Sequence, residues 1–272
     1  MSVVGIARPG TSPSKQHPQS RVQNLVINRW FLTAAAWGFL LLIWHLLAIW
    51  KGPYFLATPI ETLLGLGRLA TEGYVPSIAR SLQQLLAGFA LVIVVGIPIG
   101  LLMGSVRAID DFVSPYVQTL FVTSKEALLP FLIVVFGTQF RFRVAVVFLF
   151  GVFFLVINTA DGVRSVDHRL IETARAYRLP RREIFTKVVV PASLPFIVAG
   201  LRLSLAAAIK GMVISEIWVT FGIGLLLKNF GAFRRMDMFL AIAVLVVTVG
   251  VAATTLLKAL ENRIRPWARA SI

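Results

Sequence analysis

The sequence contains no cysteine and only three histidines, which are scattered at His17, His45 and His168. The absence of cysteine excludes disulfides, thiol catalysis and sulfur-ligated metal clusters. Three distant histidines do not have the spacing of a metal site, so we expect no metal ligands. The chain also lacks the Gly-x4-Gly-Lys-Ser/Thr run that cradles a nucleotide phosphate. We therefore expect it to bind no cofactor, and any work driven by ATP requires a second polypeptide.

Charged residues are scarce as well. They make up 14% of the 272 residues, whereas apolar residues make up 57%. Soluble domains carry about 25% charged residues. The apolar residues fall in six long runs, and about 20 residues suffice for a helix to cross a bilayer. We predict an all-α integral membrane protein with about six transmembrane helices.

The apolar runs set the predicted bounds. The six spans are expected at 30–50, 82–103, 112–136, 144–158, 196–219 and 239–257. A weakly amphipathic stretch lies at 60–70. We divide the chain into an N-terminal tail (1–29), a transmembrane domain (30–258) with a long loop at 161–191, and a C-terminal tail (259–272).

The formal net charge is +15, and the distribution of the basic residues along the chain predicts the orientation of the protein in the membrane. In a soluble protein this charge would suggest nucleic acid, which we do not expect as a partner here. Sixteen of the 27 Lys and Arg residues lie on the side that holds both termini, and eight lie on the other side. By the positive-inside rule, both termini and the 161–191 loop are predicted to be cytoplasmic.

The long loop contains the most informative motif. It reads Glu-Thr-Ala-Arg-Ala-Tyr-Arg-Leu-Pro at 172–180 and Val-Val-Val-Pro at 188–191. A polar helix held at a membrane surface by flanking spans suits docking of a partner, with Arg175, Arg178 and Arg182 on one face and Ala174 permitting close approach. The alternative is a solvated loop whose arginines bind anionic lipid headgroups.

This loop resembles the "EAA" loop of ABC importer permeases, whose pattern is Glu-Ala-Ala, three residues, Gly, nine residues, Ile, one residue, Leu-Pro. Glu172, Ala174 and Pro191 match in register, and Arg178 stands where the family has glycine. Residues 50–266 resemble the nitrate/sulfonate/taurine branch. The resemblance rests on Phe-Leu-Ala-Thr-Pro at 55–59, Gly-Leu-Arg at 200–202, Ser-Glu at 215–216 and Gly-Ile-Gly-Leu at 222–225.

The resemblance implies a type I permease fold with a cytoplasmic coupling helix, in a bacterial plasma (inner) membrane. It implies two cytoplasmic ATPase subunits that hold ATP and Mg, a second copy of this permease, and an extracytoplasmic solute-binding protein. The coupling residues would be Glu172, Ala174, Arg175, Arg178, Arg182 and Pro191.

The expected cargo is a small solute moved inward by alternating access, in particular an anion such as nitrate, a sulfonate, taurine or a related organic acid. An autonomous secondary carrier or an integral-membrane enzyme is the alternative. Paired intramembrane carboxylates, a histidine cluster or an inverted repeat of broken helices would favour it, and the sequence shows none of these.

Four charged residues fall within the predicted third and fifth spans: Lys125, Glu126, Lys210 and Glu216. Such groups are costly in lipid and usually face a protein interior or a water-filled cavity. They either line a polar translocation path whose cations attract an anion, or pair across the spans, as Lys125 with Glu216 or Glu126 with Lys210. In the second span, Gly96, Gly100 and Gly104 repeat every four residues, which favours close helix packing over a role in the pore.

Overall fold

The computed structural model describes residues 29–264, and every regular element in this part of the chain is helical. The long helices are α1 (Arg29–Lys51), α3 (Val75–Ser105), α6 (Phe140–Arg164), α9 (Val190–Val219) and α11 (Met236–Ile264). Shorter α-helices are α2 (Pro59–Thr71), α4 (Arg107–Val122), α5 (Leu129–Phe136), α7 (His168–Ala176), α8 (Arg181–Ile184) and α10 (Gly222–Ala232). A 3-10 turn at Lys125–Leu128 precedes α5, and a π-helical turn at Phe185–Val189 joins α8 to α9.

Five helices within residues 29–264 are long and apolar enough to cross a membrane, and the bent pair formed by α4 and α5 raises the number to six. The prediction of an all-α membrane protein with about six spans is confirmed. The chain divides into one compact unit that ends at Leu47 and a second that begins at Ala48. In the first unit, the apolar side chains of α1 are largely exposed, as lipid-facing side chains are; Trp37, for example, is 64% exposed.

The centre of the second unit is formed by α3, α6 and α9, in which α6 packs extensively against both α3 and α9. Antiparallel packing of α6 and α9 brings Gly151 against Ser204 and Gly162 against Phe196, and the Ser204 hydroxyl donates a 2.8 Å hydrogen bond to the Gly151 carbonyl. Together these helices form what we call the three-helix unit. Its α7 end contains Gly104 and Val163, and its α10 end contains Gln84 and Arg143.

Helices α3 and α6 run parallel in a single register. The facing pairs are Gly88 with Val147, Val92 with Gly151, Gly96 with Leu155, Gly100 with Thr159, and Gly104 with Val163. All are separated by 59 positions, the same separation as the hydrogen-bonded pair Gln84 and Arg143. Each pair puts a residue with little or no side chain against a larger one, so the two backbones approach closely. The predicted packing glycines Gly96, Gly100 and Gly104 thus all face α6.

Several predicted bounds differ from the structure. Helix α3 begins at Val75, ahead of the expected 82, and α6 spans 140–164 where we expected 144–158. Residues 140–143, which lie outside the predicted fourth span, are helical, and Arg143 among them is buried and hydrogen-bonded to Gln84. Helix α11 continues to Ile264, into the expected C-terminal tail. The rest of that tail and the N-terminal tail up to residue 28 lie outside the described residues.

The predicted third span (112–136) is not one continuous helix. Its two halves are bent by 98° at a break after Val122. Thr123 and Ser124 are extended, with ψ of 140° and 106°. Pro130, in the first turn of α5, has no N–H to donate to a preceding turn, so a continuous helix would lose a hydrogen bond there. Charged residues occupy the break itself, at positions 125 and 126.

The close packing of α3 against α6 yields a stability prediction. A Cβ atom on Gly100 would lie 2.8 Å from the Val156 carbonyl oxygen, whereas one on Gly67, inside α2, would meet nothing within 4 Å. We expect Gly100→Ala to lower the free energy of unfolding by about 1–3 kcal/mol through overpacking. Gly67→Ala is the matched control and should gain about 0.5–1 kcal/mol from its better helix propensity. Thermal unfolding of the two purified variants measures the difference, and equal melting temperatures would contradict the packing argument.

Candidate functional site

The segment between α6 and α9 folds into the short polar helix α7. Asp167 caps the helix, since its side chain accepts a 2.9 Å hydrogen bond from the backbone N–H of Arg169. The helix contacts the π-helical turn at Phe185–Val189. Ala174 is only 6% exposed, so the close approach that it permits is to the rest of this chain. That position differs from the expectation that Ala174 itself lies at a partner's surface.

The C-terminus of α7 depends on a left-handed residue. The N–H of Leu179 donates to the Ala174 carbonyl (3.2 Å), and the N–H of Arg178 donates to the Arg175 carbonyl (2.8 Å). This pair of bonds is the Schellman arrangement, which satisfies carbonyls that the helix end leaves free. Arg178 has φ of 56°, the conformation that glycine adopts most readily. The arginine that stands in place of the family's glycine therefore keeps the glycine-like backbone geometry.

The other coupling-loop residues are distributed over three helices. Glu172 and Arg175 are exposed on α7, and Arg182 is exposed on α8. Because α7 ends at Ala176, Arg175, Arg178 and Arg182 do not share one helical face, so that expectation is wrong. Pro191 lies in the first turn of α9, directly after the π-helical turn, where its missing N–H is accommodated.

A cavity of about 320 Å³ lies at the break between α4 and α5. Lys125, Glu126 and Lys210 all line it, together with Phe121, Phe150, Phe154, Val122, Thr123, Ser124 and Ala207. The Lys125 ammonium donates a 2.9 Å hydrogen bond to the Phe121 carbonyl. It also lies 5.3 Å from the centre of the Phe121 ring and 5.7 Å from that of Phe153, within the range of a cation–π contact.

Among the described residues, no salt bridge joins these cavity charges to one another or to Glu216. The pairings considered from the sequence, Lys125 with Glu216 and Glu126 with Lys210, are thus not formed. Residues 29–264 contain no group of three His, Asp or Glu side chains that could hold a metal ion.

Glu216 lies apart from this cavity, at the α10 end, and is completely buried. One carboxylate oxygen accepts a 2.9 Å hydrogen bond from the Gly224 N–H, and the other accepts from the side-chain amide of Gln84. The Gln84 carbonyl oxygen in turn accepts a 2.6 Å hydrogen bond from Arg143 Nε. Glu216 is therefore a partnered carboxylate that ties α9 to α3, α6 and α10.

Further contacts extend this buried network. Arg143 donates from a terminal nitrogen to the Thr138 carbonyl (3.2 Å), and its guanidinium lies 3.8 Å from the centre of the Phe221 ring. Ser81 accepts a 3.0 Å hydrogen bond from the Ile223 N–H and donates to the Ser77 carbonyl. Sequence reasoning missed Gln84 and Arg143. The polar pair Gln83-Gln84 near the start of an apolar run was the available signal.

Comparison with known proteins decides the family. The model described as "Binding-protein-dependent transport system inner membrane component" matches residues 96–266. This chain belongs to that family. A Brucella melitensis protein named "Probable ABC transporter permease protein" is 32% identical to this permease over 226 residues, which are 82% of this chain and 92% of that protein.

Two further likenesses concern the branch and the fold. A Bacillus subtilis protein named for aliphatic sulfonates transport is 28% identical over 214 residues, 78% of each chain. The predicted nitrate/sulfonate/taurine branch is confirmed. The solved structure of the inward facing MetNI methionine ABC transporter matches with a TM-score of 0.53 and 20% identity, covering 70% of this permease and 95% of that chain. This likeness confirms the predicted permease fold.

The left-handed residue at the end of α7 can be tested directly. We expect Arg178→Gly to stabilise the end of α7 by about 1 kcal/mol, because glycine has no Cβ to strain at positive φ. Arg178→Val, with a β-branched side chain, should destabilise it. Amide hydrogen exchange at Tyr177–Leu179 reports the change, and faster exchange in the glycine variant than in the wild type would refute the strain argument.

Proposed function

We propose that this chain is the membrane-spanning subunit of an ATP-driven importer that moves a small anion inward by alternating access. The observation that carries the proposal is α7, a polar helix that contacts the π-helical turn leading into α9 and that buries Ala174 while Glu172 and Arg175 stay exposed. A partner that binds the exposed face of α7 can move the helices beneath it as a rigid body.

The partner proposed for α7 is a cytoplasmic ATPase subunit. This chain has no phosphate-binding loop of its own, so ATP and Mg would be bound by two such subunits, one for each copy of a homodimeric permease. An extracytoplasmic solute-binding protein would deliver the cargo to the opposite mouth. The excess of Lys and Arg on the side of the α7 loop supports a cytoplasmic location for α7 and both termini in a bacterial inner membrane.

The proposed site for the anion is the cavity at the break between α4 and α5. It contains two lysines and one glutamate, and so carries a net positive charge. Lys210 has an exposed side chain and no acidic partner among the described residues. Charges at membrane depth are retained where they serve a path or a ligand. The relative named for aliphatic sulfonates transport supports a cargo with an anionic headgroup.

Docking is tested by reversing charge on the exposed face of α7. We expect Glu172→Lys combined with Arg175→Glu to reduce co-purification of the ATPase subunit and to abolish ATP-dependent uptake, because the contacts on α7 become repulsive. The control is Arg107→Glu, at an α4 position whose side chain is 95% exposed. Both variants should insert and fold alike. Normal ATPase retention by the α7 variant would contradict the docking role.

The anion site is tested by removing its cations. The double variant Lys125→Ala, Lys210→Ala should assemble with the ATPase and lose uptake, since an unpaired anion near the bilayer centre costs about 2.5–3.5 kcal/mol on insertion scales. Lys125→Arg, Lys210→Arg keeps the charge and should retain uptake in part. Uptake and thermal stability are measured on the same preparations in proteoliposomes. Full uptake by a stable double alanine variant would reject the anion site.

A further inference from the structure

We propose that Glu216 is a positioning residue that makes α10 move as one body with the three-helix unit during transport. The role rests on the importer function proposed above. This role differs from the expected role of Glu216 as a lining residue of the path, because the carboxylate is completely buried and Glu216 is not among the residues that line the cavity at the α4–α5 break.

The attachment of α10 begins with two hydrogen bonds to its first turn. The N–H groups of Ile223 and Gly224 are among those that a helix N-terminus leaves without intrahelical partners. Ser81 of α3 accepts from Ile223, and Glu216 of α9 accepts from Gly224. A carboxylate near the N-terminal end also interacts favourably with the helix dipole. Two different helices of the three-helix unit therefore hold the start of α10.

The connection between α9 and α10 is too tight to move independently. Only two residues, Thr220 and Phe221, separate the helices, and Thr220 is left-handed with φ of 53°. Gly222 is also left-handed, and a Cβ at that position would lie 2.6 Å from a Glu216 carboxylate oxygen. The carboxylate thus fills the space inside the turn. A shorter side chain at position 216 would leave the Gly224 N–H buried and unsatisfied, at a cost of about 1–3 kcal/mol.

The same network is the last contact of the α3–α6 register. Gln84 binds Glu216 with its amide and Arg143 with its carbonyl oxygen, and this pair shares the 59-position offset of the glycine pairs that continue to Gly104 and Val163. Gly104 and Val163 line a pocket at the α7 end together with Ile171 and Arg175 of α7. The α3–α6 interface, about 30 Å long at 1.5 Å per residue, therefore runs from the pocket beside α7 to the anchor of α10.

If Glu216 only stabilises the fold, its variants should be less stable but should still couple ATP hydrolysis to uptake. A positioning role predicts that a folded variant hydrolyses ATP without moving cargo, because movement of α7 no longer reaches α10. We expect Glu216→Ala to lower the amount of cargo moved per ATP by about tenfold, within the usual range of coupling between sites. Glu216→Gln keeps one oxygen as a hydrogen-bond acceptor and presents an NH2 group in place of the other. The amount of cargo moved per ATP should therefore fall less than in the alanine variant. If the alanine variant does not assemble, the glutamine variant serves as the test.

The matched control is Ser215→Ala. Ser215 is as buried as Glu216 and adjacent to it, but its hydroxyl donates to the Met212 carbonyl within α9 itself. It should lose stability without losing coupling. The absence of native cysteine allows spin labels at Ser105 of α3 and Lys228 of α10, both exposed. Distances are measured in the assembled transporter, with the labelled permease diluted by unlabelled copies.

In the wild type, we expect one narrow distance between the two labels that is the same without nucleotide and with ATP plus vanadate. In the Glu216 variants, the distribution should broaden while the permease stays assembled. A wild-type distance that changes with nucleotide would overturn the proposal, and so would a Glu216 variant with wild-type coupling. Absence of ATP-driven uptake by the wild type would instead reject the importer function itself, so the two failures are distinguishable.

Discussion

Close approach of α3 and α6 is the constraint on which the rest of the structure depends. In a bilayer, helices gain little from hiding apolar surface from lipid, so they associate through close packing and interhelical hydrogen bonds. Here a glycine provides the close packing at all five facing pairs, and Gln84 with Arg143 provides the hydrogen bond at the α10 end. All the facing pairs share one separation of 59 positions, so sliding of one helix along the other would disrupt every pair at once. Movement of one end of the α3–α6 pair is then transmitted to its other end.

The break between α4 and α5 follows a second rule of membrane folding. Backbone that leaves helical geometry inside a membrane must be buried in protein or line a cavity, because lipid offers no hydrogen bonds. The second condition is met at this break, because residues 121–126 line the cavity and Lys125 donates to the Phe121 carbonyl at the end of α4. The break therefore exposes polar groups to the cavity at a depth where a continuous helix would present none.

The sequence predicted the features that composition and local pattern control. Long apolar runs located the spans, and the four-residue repeat of Gly96, Gly100 and Gly104 indicated a packing face. It did not predict the broken third span, because apolar residues predominate on both sides of the break. Helix α10 was also missed, since its first turn is stabilised by Ser81 and Glu216 from distant helices. Arg143 fell one residue outside the predicted fourth span, because the sequence alone does not show that Gln84 of α3 binds it.

The four intramembrane charges show why such residues cannot be assigned from their positions alone. Glu216 and Lys210 lie six residues apart on α9, yet α9 turns them toward different surroundings. Glu216 meets Gln84 and the first turn of α10, so its charge is fully used in holding helices together. Lys210 meets an open cavity. A charge whose hydrogen bonds are satisfied within the protein has little left to offer a ligand, whereas a charge that faces a cavity is stabilised by whatever enters it. That difference, set by the packing of α9 against α3 and α6, separates an anchoring residue from a candidate cargo site.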